Sequence, residues 1–192
     1  LAGKDASVPV RRAALAALGV KASKEEAALL AEAAEDKEPR IRSLALLGLG
    51  LSRQGREILT RHLQAKSEES QGVRCHAALA LGLLGEEASA PALVEALDDK
   101  VVDVGCMAAL SLGRFPAFAK GVEALSRSSK NLKRHTELRC YALVGLGLTG
   151  AAGTLPVLET GLGSKDETLK AFSATGLGLS GAPGAAKPLL SS

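Results

Sequence analysis

Apolar and polar positions along the chain follow a helical period, and the same pattern returns six times. Each copy has an aliphatic residue, a small residue four positions later and leucine eight positions later, which together form one apolar stripe along a helix. The copies begin at residues 10, 41, 73, 104, 138 and 169, so successive starts differ by 31, 32, 31, 34 and 31 residues. A regular period of this length indicates a repeat protein.

The segments between the copies predict a second helix in each repeat. These outer segments are 24–35, 56–66, 88–99, 117–129, 153–163 and, incomplete, 184–190. Pro91 and Pro156 stand near the start of two of them, where a proline costs a helix little. Because a pair of helices cannot bury its own apolar face, neighbouring pairs must stack. We therefore expect an all-α solenoid of about six two-helix repeats, forming a single domain over residues 1–192. Since neither end has a polar cap, we also expect a fragment of a longer chain.

Glycine-rich phrases recur with the same period. The phrase TGLGLSG at 175–181 has relatives at 47–52 and 144–150, whereas a phosphate-binding loop is needed only once. No predicted strand precedes a copy and no Gly-Lys-Ser/Thr follows one, so the phrases are interpreted as structural. The glycine nine positions after each aliphatic start is expected to end the inner helix. These glycines are Gly19, Gly50, Gly82, Gly113, Gly147 and Gly178.

Charged residues flank the inner segments at fixed positions. In four repeats an acidic residue stands five positions before the aliphatic start, as Asp5, Asp36, Glu68 and Asp99. In five repeats a basic residue directly follows the aliphatic start, as Arg11, Arg42, Arg74, Arg139 and Lys170. These residues form the pattern D-x-x-x-x-V-R-x-x-A-x-x-x-L-G. In this pattern the chain resembles the HEAT-repeat family, and it is similar to the short type of repeat named after phycobilisome lyases. The resemblance implies a right-handed superhelix in which these acidic and arginine residues form a ladder between adjacent turns. We expect the ladder to break where Gly105 replaces the arginine and Lys133 replaces the acid.

The inner segments lack the polar stripe of a solvent-exposed helix. Positions two, six and ten after the aliphatic start are expected to line the concave surface, and the position three after it is the most varied in the repeat. From these columns we predict a partner-binding surface of Leu47, Leu51, Leu79, Leu83, Leu110, Val144, Leu148, His76, Met107 and Tyr141. A partner helix or peptide, a second copy of the chain or a missing part of the parent protein would cover it. Alternatively, tight curvature hides the leucines against one another, and the varied column fills the core.

Charge and composition add one candidate site to this interpretation, at a single turn of the chain. The net charge is +3, with one Tyr, three Phe and no Trp. A basic turn formed by Lys130, Lys133, Arg134 and His135 lies in the one connection that is longer than its neighbours. It could meet an acidic partner or a phosphate backbone, although the missing aromatic residues disfavour nucleic acid. The alternative is a solvated loop.

The candidates for chemistry are few. Cys75, Cys106 and Cys140 share one column a repeat apart, and stacked helices about 8–10 Å apart are too distant for a disulfide. We predict free thiols, which favour a reducing compartment such as the cytoplasm. No histidine has the spacing of a metal ligand, so neither a metal nor another cofactor is expected, and no apolar run predicts a membrane span. A Cys106–His76 dyad is the catalytic alternative.

Together these features predict a non-enzymatic scaffold for protein–protein interaction. Its partner would be a protein helix or peptide bound on the apolar concave surface, or a second copy of the chain. The alternatives are a HEAT-repeat enzyme or enzyme subunit of the chromophore-lyase type, and binding of nucleic acid or an acidic partner through the basic turn. Other HEAT-like enzymes include a DNA glycosylase group and a di-iron hydroxylase. This sequence departs from them in having no Trp to stack a base or bilin and no paired His-Glu ligands.

Overall fold

The computed structural model describes residues 23–64, 66–68 and 70–191, and this part of the chain contains helices and no strand. Its α-helices are α1 Lys24–Ala33, α2 Pro39–Leu51, α3 Arg56–Leu63, α4 Gln71–Leu84, α5 Ala90–Ala96, α6 Val102–Leu112, α7 Ala119–Lys130, α8 Thr136–Thr149, α9 Leu155–Leu162, α10 Glu167–Ser180 and α11 Ala186–Ser191. Short 3₁₀ turns at Glu87–Ser89 and Ala152–Thr154 precede α5 and α9. The all-α class is confirmed.

Outer and inner helices alternate along the chain as the period predicts. The inner helices are the even-numbered ones, and each begins two residues before the aliphatic start of its repeat. Pro91 and Pro156 are the second residues of α5 and α9, as predicted. The first inner segment, with Asp5, Arg11 and Gly19, lies outside the described residues.

Contacts along the chain define two compact units, one ending at Ala92 and the other beginning at Leu93. In the first unit, α2 packs against α1, α3 and the next inner helix α4. In the second unit, α8 packs against its outer neighbours α7 and α9 and lies between the inner helices α6 and α10. Leucine and alanine fill both cores, as at Leu46, Leu81, Leu125 and Leu177. The single-domain organisation stays a prediction.

The inner helices end later than the sequence predicts. Gly113 directly follows α6, as expected, but Gly50, Gly82, Gly147 and Gly178 lie inside their helices, so the expected helix-ending role is wrong there. Three of these helices continue to glycines three positions further on, Gly85, Gly150 and Gly181, which have φ of 72°, 60° and 57°. Such left-handed backbone favours glycine and ends a helix.

Two of these internal glycines, Gly50 and Gly147, instead bring neighbouring inner helices together. A Cβ atom built on Gly50 would lie 2.6 Å from the carbonyl oxygen and 2.7 Å from the Cα of Ala80. One built on Gly147 would lie 2.6 Å from the Cα of Gly176. Carbon atoms not bonded to each other prefer about 3.5–4.0 Å, so these sites accept only glycine at the observed separation. Helix α2 thus meets α4, and α8 meets α10, through their backbones.

Candidate functional site

Leucine side chains at two positions of the inner helices lie partly open to solvent. We name these residues the leucine strips: Leu47, Leu51, Leu79 and Leu83 in the first unit, and Leu110, Val144, Leu148 and Leu179 in the second. The members six residues after the aliphatic start are half-buried. Most members ten residues after it are more open, with Leu51 50% exposed and Leu148 41% exposed. Each unit therefore presents an apolar strip that its own residues cover only in part.

Most residues two positions after the aliphatic start are more buried than this surface. Ser43, Cys106 and Cys140 are buried, so their expected place on the concave surface is wrong, whereas Cys75 is half-buried and Ala171 is exposed. Residues advance by about 100° around a helix. Measured from the aliphatic start, the second position lies at about 200°, and the more open sixth, tenth and third positions lie between about 240° and 300°. The buried arc is therefore wider than the sequence pattern indicated.

None of the three cysteines forms a disulfide, as predicted. Burial raises the pKa of the Cys140 thiol, and the charge of Asp166 adds to this effect. A raised pKa keeps the thiol protonated at neutral pH, whereas the thiolate is the nucleophile. Cys140 accordingly has the character of a small core residue.

Side chains three positions after the aliphatic start are half-buried and already have neighbours. His76 has its Nδ1 atom 2.6 Å from the carbonyl oxygen of Gly72, which accepts a hydrogen bond within the same helix. The rings of Tyr141 and Phe172, on α8 and α10, lie 5.8 Å apart at 49°. This contact uses part of the Tyr141 surface for packing between repeats. Met107 is half-buried as well.

Arg42 connects two repeats of the first unit. Its Nε and Nη2 atoms donate to the two carboxylate oxygens of Glu68, both at 2.8 Å, and Nη1 donates to the carbonyl oxygens of Asp36 and Lys37. Arg74 is fully buried and donates to the carbonyl oxygen of Glu68 at 3.0 Å. A guanidinium that is bonded in this way on both sides fixes the separation of adjacent turns.

A buried histidine that the repeat pattern does not predict belongs to the same network. His62 is 5% exposed, with Nδ1 3.3 Å from Glu68 and Nε2 3.4 Å from Glu35. Arg61 also pairs with Glu35. His62 belongs to an outer helix and lies outside the repeated inner pattern, so the period contained no signal for it.

We expect the first unit to lose stability in acid through Glu68. Burial alone would raise the pKa of its carboxyl, but hydrogen bonds from Arg42 and the Ser70 N–H, with the charge of Arg42, hold that pKa below its ordinary value. Such a group contributes stability above its unfolded pKa of about 4.3 and loses it as the pH falls through the folded pKa. Denaturant unfolding measured from pH 7 to pH 3 should show this loss below about pH 4. The acid slope should be shallower in Glu68→Gln, and equal slopes would contradict the assignment.

The lengthened turn supplies an arginine where the repeat lacks one. Gly105 has no side chain to bridge the turn before α6. Instead, Arg134 donates to the carbonyl oxygen of Leu97 and pairs with Asp98. Arg134 is half-buried, whereas Lys130, Lys133 and His135 are exposed. The basic turn is therefore not one uniform patch, because its arginine is engaged within the second unit.

In the described ranges, no group of three or more His, Cys, Asp or Glu side chains is arranged to hold a metal ion. None of the helices in those ranges combines the length and apolar character that crossing a bilayer requires.

Comparisons with known proteins come from one family model and from solved structures. Residues 57–136 match the model of HEAT repeats. No curated protein matches the chain.

Escherichia coli YibA is similar at 17% identity over 91% of this chain and 66% of its own, with a TM-score of 0.64. A designed armadillo repeat protein in complex with the peptide (KR)4 is similar at 16% identity over 90% of this chain and 92% of its own, with a TM-score of 0.54. Human deoxyhypusine hydroxylase in complex with glycerol is similar at 16% identity over 92% of this chain and 81% of its own, with a TM-score of 0.52. The resemblance to HEAT repeats and the all-α solenoid class are confirmed.

Proposed function

We propose that this chain, which resembles HEAT repeats, is a non-enzymatic scaffold for protein–protein interaction. It would bind a partner helix or peptide on its leucine strips. One observation carries the proposal: leucine side chains at the same positions of successive inner helices stay partly open in both units. An isolated exposed leucine is ordinary on a protein surface, whereas a repeated row of them favours an interaction site.

The chemistry of the strips suits an apolar partner surface. An amphipathic helix presents apolar side chains at spacings of three and four residues, and these could pack between the leucines of adjacent inner helices. Burial of apolar surface is worth about 25 cal/mol per Å², so even a few hundred Å² offsets part of the cost of association.

Rigidity of the inner helices would support such binding. The backbone contacts at Gly50 and Gly147 hold neighbouring inner helices at a fixed spacing. A surface that is already in its binding geometry loses little conformational entropy when a partner docks. The designed armadillo repeat protein is in complex with the peptide (KR)4, so a similar fold can bind a peptide, but that peptide is basic and does not bear on an apolar partner. The hydroxylase is an enzyme with a similar fold, so the fold alone does not decide between the two classes.

Glutamate at the most open leucines is expected to remove the binding surface. In Leu51→Glu/Leu148→Glu, two charges would enter the strips, one in each unit. We expect fluorescence of a hydrophobic dye and binding of amphipathic helical peptides to fall severalfold, with far-ultraviolet circular dichroism unchanged. The measurements are dye titration, peptide binding by fluorescence anisotropy, and light scattering for self-association.

Leu29→Glu provides the matched control. Leu29 is 43% exposed, comparable to the substituted leucines, but it lies on the outer helix α1. It should leave dye and peptide binding at the wild-type level. A wild type that binds neither dye nor peptide, or an equal loss in Leu29→Glu, would show that the strips are not a docking surface.

A further inference from the structure

The repeat position of Arg139 is the same as that of Arg42, but its acidic partner is missing. Arg42 directly follows the aliphatic start of its inner helix, and Glu68 stands five positions before the next start. Arg139 directly follows Leu138, and the residue five positions before the next start is Ser164. The second unit therefore keeps the arginine of this pair and replaces the carboxylate by a hydroxyl.

Ser164 performs only half of the task that Glu68 performs. The Ser164 Oγ accepts a hydrogen bond from the Asp166 N–H at 3.1 Å, just as a Glu68 carboxylate oxygen accepts from the Ser70 N–H at 2.9 Å. Glu68 also accepts two hydrogen bonds from Arg42, for which Ser164 has no equivalent. The hydrogen bond to the N–H of the residue that caps the inner helix is thus preserved without the ion pair.

Arg139 is half-buried and makes one hydrogen bond to the described part of the chain. Its Nε atom donates to the Ser129 carbonyl oxygen at 3.1 Å. Neither terminal guanidinium nitrogen bonds to a described residue, and no described carboxylate pairs with it. At Gly105 the arginine and the acid are both replaced, so that site has no such imbalance.

A cavity of about 270 Å³ lies between Arg139 and Ser164. Lys130 also lines it, and no acidic residue of the described ranges does, so the described part of its wall carries two positive charges and no negative one. Leu143 and Val157 are among its apolar lining residues. The volume is small for a drug-sized ligand but sufficient for a carboxylate on a short aliphatic stem.

From this geometry we propose that the Arg139–Ser164 cavity is a binding site for a carboxylate group. The planar guanidinium fork matches a carboxylate through two parallel N–H donors, as Arg42 already demonstrates with Glu68. The Ser164 hydroxyl is able to donate a further hydrogen bond, and Lys130 adds a second charge. The leucine and valine side chains would contact the methylene stem. This site goes beyond the proposed leucine-strip function and does not depend on it.

Thermal unfolding of the full 192-residue chain in sodium acetate and sodium chloride of equal ionic strength tests the proposal. A carboxylate that binds only the folded state raises Tm by mass action, and we expect about 3–6 °C at ten times Kd. Arg139→Gln should abolish this rise. Ser164→Glu would supply the carboxylate from the chain itself, so its Tm in chloride should increase and its response to acetate should disappear.

Lys165→Gln is the control for unspecific charge effects, because Lys165 is exposed and does not line the cavity. It should keep the wild-type response. The proposal is overturned by an equal wild-type Tm in the two salts, by a retained response in Arg139→Gln, or by a lost response in Lys165→Gln. These three outcomes stand even where Ser164→Glu does not fold.

The source of the carboxylate is resolved with two further ligands. A tetraglutamate peptide with blocked ends should raise Tm, compared with tetraglutamine, when the site accepts acidic side chains of a protein. A response to acetate alone identifies the ligand as a small free carboxylate. Either result must disappear in Arg139→Gln.

Discussion

Replacing Gly147 by alanine is expected to destabilise the second unit by about 3 kcal/mol or more, at or above the upper end of the usual cost of overpacking. The added methyl group would lie 2.6 Å from the Cα of Gly176, on the facing inner helix. No side-chain rotation can relieve this contact, because the neighbouring atoms belong to the backbone. Helices α8 and α10 would have to separate along their whole interface. Denaturant unfolding followed by circular dichroism measures the loss.

Gly178 provides a control in the same repeat position. It lies inside α10 as Gly147 lies inside α8, yet nothing stands within 4 Å of a Cβ built there. Gly178→Ala should therefore stabilise the protein by up to about 1 kcal/mol, the difference in helix propensity between the two residues. Effects of opposite sign at equivalent positions would establish that close packing, and not helix ending, explains the glycine at 147. A similar small effect for both variants would contradict it.

The period of the sequence was sufficient to place the helices. The aliphatic starts located every described inner helix to within two residues, and Pro91 and Pro156 marked the first turns of two outer helices. These predictions succeed because helix formation follows from the local arrangement of apolar residues and from first-turn chemistry. That the three cysteines form no disulfide followed from helix spacing alone.

The details of the contact surfaces could not be predicted in the same way. Whether Gly50 ends a helix or meets Ala80 depends on how neighbouring helices are rotated against each other, which a period within one helix does not encode. The same rotation decides that Cys106 and Cys140 are buried. His62 and Arg134 lie on an outer helix and in a turn, and their partners are 27 and 37 residues away in sequence, at Glu35 and Leu97. Such contacts follow from the folded geometry.

Glu68→Gln is expected to lower the free energy of unfolding of the first unit by about 2–4 kcal/mol at pH 7, near the cost of breaking a buried ion pair. Glu68 is 5% exposed, and its carboxylate accepts from Arg42, from the Ser70 N–H and, in the appropriate tautomer, from His62. The amide retains one acceptor oxygen but presents an NH₂ group toward donors. It therefore leaves the half-buried Arg42 without its counter-charge.

Glu35→Gln is a comparison that distinguishes the effect of burying an ion pair on stability from the effect of ion pairing itself. Glu35 also pairs with an arginine, Arg61, and lies 3.4 Å from the Nε2 atom of His62. Because the Arg61 and Glu35 side chains are about half exposed, the loss of this carboxylate should cost less than about 1 kcal/mol. A double-mutant cycle of Glu68→Gln with Arg42→Gln should yield a coupling energy of about 1–3 kcal/mol, because removing the second partner relieves the uncompensated charge. Additive effects of the two substitutions would mean that the pair contributes only through packing, and adjacent repeats would then not be joined by their charges.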